Sequence, residues 1–172
     1  MPEIDTNCVE TKIPGFLQRH GTALVEVQEH MGDLTLVVQP TAIRQLIQAL
    51  KTEFGFEMLL DLFAMDYEKY EPSTPERFAV LYQLYSLSKK RRVRLKVFIG
   101  ETNPEIDSIH DVYAAANWFE REAWDLFGIA FKGHPHLTRI LCHQEFVGHP
   151  LRKDYPSDGY QQLRKAIRSA GM

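Results

Sequence analysis

Two alternating apolar runs, Phe78, Val80, Tyr82, Leu84 and then Val93, Leu95, Val97, Ile99, flank the charged turn Ser88-Lys89-Lys90-Arg91. A period of two puts one set of side chains on one face of a strand, so this pair can hide its apolar face only as a hairpin within a larger sheet. A second hairpin precedes it. Ala23, Val25 and Val27 alternate, Met31-Gly32-Asp33 supplies a turn, and Leu34 to Val38 resumes the apolar pattern. Phe56 to Met65 reads as a mostly buried strand, and the stretch Glu68 to Pro75, rich in acids and prolines, as a loop. The sum is a sheet of about five strands, an ordinary size.

The period changes twice. After Pro40, Thr41 is a candidate N-cap for a helix carrying Ile43, Leu46, Ile47 and Leu50 on one side, with Gly55 placed to stop it. From Ser108, another candidate cap, a longer helix presents Ile109, Val112, Ala116, Phe119, Ala123 and Phe127, and Gly128 can end it in the left-handed conformation. The expected fold is α/β, of the two-layer α+β type: a mixed sheet packed by two main helices. Residues 1–128 form this core domain and residues 129–172 a long extended C-terminal tail. Within the tail, glycines 133, 148 and 159 and prolines 135, 150 and 156 leave no sustained period, although Leu163 and Ile167 stand at helical spacing.

A chain of 172 residues, 44% hydrophobic and 25% charged, suits one soluble domain. Its apolar runs are too short to cross a bilayer, and its first dozen residues do not resemble a secretory signal. Cys8 and Cys142 are far apart, which argues against a disulfide framework, and two thiols cannot supply the four ligands of an ordinary iron–sulfur cluster. Residues 132–172 hold seven Lys or Arg against three acids, so a basic tail joins an acidic body. Nucleotide-binding glycine loops, a C-x-x-C pair, a nucleophile elbow and H-E-x-x-H are all missing. His134, His136, Cys142, His143 and His149 are ligand types for zinc, but their spacing fits no zinc pattern, and ordinary hydrogen-bonding histidines are the favoured reading. Glu120 and Glu122 stand about 200° apart around a helix and cannot form a catalytic dyad. Arg121 and Asp125, at i and i+4, can pair on the helix. Arg92, Arg94 and Lys96 share the outer face of the last hairpin strand and read as a solvated face.

The string EREAWDLFGIAFKGHPHLTRIL (Glu120 to Leu141), followed by GHPLRKDYP (Gly148 to Pro156), resembles the signature of the 30 kDa subunit family of respiratory complex I, the bacterial NADH:quinone oxidoreductase. The resemblance implies a peripheral-arm subunit of a proton-pumping enzyme, with no redox centre or catalytic residue of its own, that braces the 49 kDa quinone-site subunit. NADH, FMN, iron–sulfur clusters and quinone belong, on this reading, to other subunits. The membrane is reached only through the complex, on the cytoplasmic side of the inner membrane, and nucleic acid is not a partner. The implied assembly surface comprises Glu120, Arg121, Glu122, Asp125 and Phe127 at the helix end. In the tail it comprises His134, Pro135, Arg139, Phe146, His149, Pro150, Leu151, Arg152, Lys153, Asp154, Tyr155 and Pro156. The chain departs from the pattern at Thr138, where many relatives carry arginine, and it has GHPLRKDYP rather than the GWPLRKDY of chloroplast-type relatives. Its end at Met172 reads as a separate polypeptide, not one fused to the 49 kDa subunit.

The residues point the same way. An irregular segment this long and this apolar needs a surface to lie upon. Its prolines lower the entropy lost on docking, Phe146, Leu151 and Tyr155 can anchor it, and Arg152 and Lys153 can meet acids. Two alternatives remain open: the homologous subunit of a membrane-bound nickel–iron hydrogenase or related oxidoreductase, and a nucleic-acid-binding module using the basic tail with Phe146, Tyr155 and Tyr160 as stacking residues. The acidic body and an isoelectric point near 6.2 oppose the latter.

Overall fold

A computed structural model describes residues 6–70, 74–158 and 161; Gly159, Tyr160 and the spacing of Leu163 and Ile167 lie outside the described residues. Helices α1 (Thr6–Lys12) and α2 (Phe16–His20) lead into strands β1 (Leu24–His30) and β2 (Asp33–Val38). Helix α3 (Ile43–Thr52) follows, then β3 (Met58–Asp66), β4 (Phe78–Ser86) and β5 (Arg91–Ile99). A short strand β6 (Glu105–Asp107), helix α4 (Ala116–Phe127) and strand β7 (Ala130–Lys132) complete the order.

The main sheet runs β1-β2-β5-β4-β3 and is mixed, because β2 and β5 pair in parallel while the other neighbours are antiparallel. A parallel relation cannot be closed by a tight turn, and α3 provides the crossover from β2 to β3. Ile43, Leu46, Ile47 and Leu50 of α3 are buried in one cluster with Val80, Tyr82 and Leu84 of β4 and Val93, Leu95, Val97 and Ile99 of β5. Burying such side chains contributes roughly 1.5–3 kcal/mol each, which makes this single layer of contact the main source of stability. Helix α4 packs on β3 from the same side, and β6 and β7 form a separate parallel pair.

Four expectations are corrected. Val25 is exposed rather than inward, because a bulge between Leu24 and Glu26 shifts the register and hands the core position to Leu24. Thr41 does not cap α3; Pro40–Ala42 forms a 3₁₀ turn and Ala42 occupies the cap position without a side-chain bond. The strand expected from Phe56 begins at Met58. The second helix begins at Ala116 rather than beyond Ser108: the Ile109 carbonyl accepts from the Val112 and Tyr113 amides, a single turn that goes no further. Gly128 ends α4 at φ 75°, ψ 22°, as its position predicts.

Candidate partner-docking site

Helix α4 displays two carboxylates that are fully buried, Glu120 and Asp125, while Glu122 is exposed on another side. A buried carboxylate must find donors or lose its charge. Asp125 finds them in the tail. Its Oδ2 accepts from the Ile140, Leu141 and Cys142 amides at 3.0, 2.8 and 2.9 Å, and Arg139 Nη1 lies 2.5 Å from Oδ1. Burial pushes the Asp125 carboxyl up, but the Cys142, Leu141 and Ile140 amides and the Arg139 guanidinium outweigh it and hold the pKa at about 2. The pairing expected between Arg121 and Asp125 is therefore not made. Arg121 turns instead to the Thr138 carbonyl and hydroxyl, at 3.1 and 3.0 Å, and stacks over Trp118. Arg139 wins Asp125 because it arrives with three backbone donors that a helical neighbour cannot offer.

The tail also completes the C-terminus of α4, whose last carbonyls have no partners inside the helix. The Gly128 amide donates to Trp124 O, His149 Nδ1 lies 3.0 Å from Asp125 O, the Leu151 amide donates to Leu126 O, and Arg152 Nε donates to Phe127 O at 2.6 Å. Arg139 Nη2 holds the tail to itself through the Phe146 and Gly148 carbonyls, and its guanidinium lies 5.7 Å from the ring centroids of both Trp124 and Phe146. Phe146 in turn stacks on Tyr155. Gly128 has a second constraint beyond its φ: a Cβ there would meet His149 Nε2 at 2.5 Å and Arg152 Nη2 at 2.6 Å.

A third buried acid binds the far end of the segment. Asp66, at the end of β3, accepts from Arg77 at 3.0 and 3.2 Å, from the Glu68 amide and from the Lys153 amide at 2.8 Å. Arg77 also pairs with Glu68, Asp154 and Glu101, and its hydrogen bonds, to Asp66 above all and then to Asp154 and Glu101, raise its pKa against the opposing effect of burial. Asp66, Glu68 and Asp154 are the one group among the described residues whose ligand atoms are close enough to share an ion, and the Arg77 guanidinium already lies against all three. His134, His136, Cys142, His143 and His149 do not gather in this way. Sequence reasoning missed Asp66 and Arg77; the available signal was an acid closing a mostly apolar strand.

Glu120 serves the body rather than the tail. It accepts from Ser108 Oγ at 2.5 Å and from the Ile109 amide at 2.7 Å, which explains why Ser108 does not cap a helix. Burial drives its pKa up to about 7, against the opposing pull of those two donors. His134 Nε2, 4.0 Å away, donates to the Asn117 carbonyl, and burial lowers the pKa of this imidazole.

Of the charges expected to reach outward, Glu120, Arg121, Asp125, Arg139 and Arg152 turn inward while Glu122, Lys153 and Asp154 stay exposed, and several apolar residues face out. Leu141, Val147 and Leu151 are 61%, 75% and 49% exposed, and Trp118 on α4 is 61% exposed. Pro135, Pro156, Lys153 and Asp154 are exposed, while Phe127, His149, Pro150, Arg152 and Tyr155 are half-buried. The arrangement holds an irregular segment in one shape and presents apolar tips. No helix among the described residues is long and apolar enough to cross a membrane.

A family profile described as respiratory-chain NADH dehydrogenase, 30 kDa subunit, matches residues 36–161. The chain is similar to the corresponding NADH-quinone oxidoreductase subunit of Thiobacillus denitrificans, at 47% identity over 84% of this chain and 74% of the relative. It is 42% identical to that of Geotalea uraniireducens over 83% of this chain and 84% of the relative. Among solved structures, a trypsin-resistant fragment of Nqo5 superposes with a TM-score of 0.62 and 35% identity, covering 64% of this chain and 88% of the fragment. A chain of an archaeal membrane-bound sulfane sulfur reductase superposes with a TM-score of 0.68 at 20% identity, covering 92% of this chain and 94% of the other, and shows a shared fold.

Proposed function

The chain belongs to the respiratory-chain NADH dehydrogenase 30 kDa subunit family, and from that premise we propose that it is an assembly subunit of the peripheral arm of a proton-pumping NADH:quinone oxidoreductase, bracing the 49 kDa quinone-site subunit. On this reading NADH, FMN, iron–sulfur clusters and quinone are handled by the other subunits, and the chain reaches the cytoplasmic face of the membrane only through them. It supplies no reacting group. The observation that carries the reading is the inversion just described: Asp125, Asp66, Arg139 and Arg77 are consumed in fixing the tail, while Leu141, Val147 and Leu151 are left outside.

A fixed apolar edge loses little conformational entropy when a partner covers it, so its burial is available as affinity. NADH:quinone activity, the 49 kDa subunit and this chain should be recovered together in constant ratio through a mild-detergent isolation tagged on this chain. Recovery of the chain without the 49 kDa subunit, from cells whose oxidoreductase is intact, would contradict the proposal.

A further inference from the structure

Strands β2 and β5 run in parallel, so their first residues share one end of the sheet. There residues 11–12, 32–33 and 90–92 enclose an open pocket of about 390 Å³. Hydrogen bonds tie the three segments together. Lys12, which ends α1, donates to Glu29 at 2.8 Å and to the Gly32 carbonyl in the β1–β2 turn at 2.5 Å. Arg91 Nη1, at the start of β5, donates to the Thr11 and Lys12 carbonyls at 3.0 and 2.7 Å. The walls are therefore fixed before anything enters. Their charge is one-sided: Lys12, Lys90, Arg91 and Arg92 stand around a single acid, Asp33. Glu29 answers Lys12, and Glu57, which reaches the β4–β5 turn, is engaged by the Leu87 amide and the Ser88 hydroxyl. Lys90, Arg91, Arg92 and Asp33 are all exposed, and among the described residues none of them makes an ion pair. Three uncompensated cations thus face one acid.

Backbone strain gathers at the same place. Among the described residues only two that are not glycine have positive φ: Met31, at 49°, and Lys90, at 52°. Lys90 lines the pocket, and Met31, 93% exposed, adjoins it beside Gly32. Glycine takes that conformation without steric cost, so turn geometry alone does not call for either side chain. A recess walled by one sign of charge also focuses its field on whatever projects into it. We propose that this pocket is a second docking site whose occupant is an acidic segment of a neighbouring protein subunit. Its carboxylates meet Lys90 and Arg92, and an aliphatic side chain of the same segment covers Met31. A bare phosphate would leave Met31 uncovered, and a nucleic acid finds no ring to stack on among the lining residues. The site is separate from the tail edge and rests on the preceding reading only in that the chain works inside a multi-subunit assembly.

The test uses the native assembly, isolated through a tag on this chain and treated with a water-soluble carbodiimide, which joins a lysine to a touching carboxylate with no spacer. Peptide mapping should find Lys90 joined to an Asp or Glu of another subunit, and Lys90→Arg should remove that link while the assembly survives. Lys90→Gly with Arg92→Ser should release the chain roughly tenfold faster under a salt challenge. The same pair should not lower the melting temperature of the isolated chain, because glycine suits the φ of 52° at position 90. Arg19→Ala with Arg44→Ala, which removes two exposed cations from α2 and α3, should not speed release. Three outcomes overturn the proposal: Lys90 joined only within its own chain or not at all, a Lys90 and Arg92 variant retained like the wild type, or a free chain that binds phosphatidylglycerol vesicles through these two residues. Which enzyme the partners belong to decides the reading of the preceding section; whether Lys90 touches an acid of theirs decides this one.

Discussion

At the scale of the residue, the two buried acids of α4 respond to pH in opposite senses. Asp125 has a folded pKa of about 2, below its ordinary value of 3.8, so its contribution is present above 3.8 and disappears as pH falls through about 2. Glu120, at about 7 against an ordinary 4.5, contributes fully below 4.5 and loses that contribution as pH rises through about 7. Glu120→Gln should therefore gain on the wild type as pH rises from 4.5 to 7, by up to about 3 kcal/mol, in urea unfolding followed across that range. A difference that does not grow with pH would mean that Glu120 is not held protonated. Asp125→Ala strips the carboxylate from a guanidinium that is only 14% exposed and orphans three amides. It should cost about 3–5 kcal/mol. Arg121→Ala, losing two bonds to Thr138, should cost about 1 kcal/mol. Equal costs in denaturant titration would remove Asp125 from its central place.

At the scale of the element, α4 and the tail form one unit, because the carbonyls that close the helix are satisfied by residues of the tail that lie roughly two dozen positions later. Gly128→Ala strains the backbone at φ 75° and drives a Cβ into His149 and Arg152. A loss of about 1–3 kcal/mol should follow, confined first to the tail. Limited proteolysis should cut residues 138–158 before the sheet unfolds; simultaneous loss of both would show that the joint is not local. Much of this element structure was legible in the amino-acid order. Alternation placed β4 and β5, helical spacing placed α3, and Gly128 marked the end of α4. What escaped were features decided by distant partners. Nothing near Ser108 announces that Glu120, twelve residues later, will claim its hydroxyl and the next amide, and no local signal tells Arg121 to prefer Thr138 over Asp125. The bulge that exposes Val25 is a register effect, visible only once β2 is opposite β1. The helix-end residues were singled out through the family resemblance of the string that holds them, not by their charge alone, and the direction they take, Asp125 to the tail and Glu120 to the body, required the fold.

At the scale of the whole molecule, three buried acids fix the segments outside the main sheet: Glu120 secures the turn before α4, Asp125 the first half of the tail and Asp66 the second. Rigidity comes from charge turned inward, and in the proposed assembly role recognition is left to what faces out. Substitution separates the two. Leu141→Asp with Val147→Asp touches side chains that are 61% and 75% exposed, so the isolated chain should keep its stability to within about 0.5 kcal/mol. The most direct measurement of the central claim introduces this pair into the native enzyme and quantifies both the assembled complex and the NADH:quinone turnover of each complex that forms. The amount of assembled complex should fall severalfold while turnover per assembled complex stays unchanged. Full assembly with turnover abolished would contradict it.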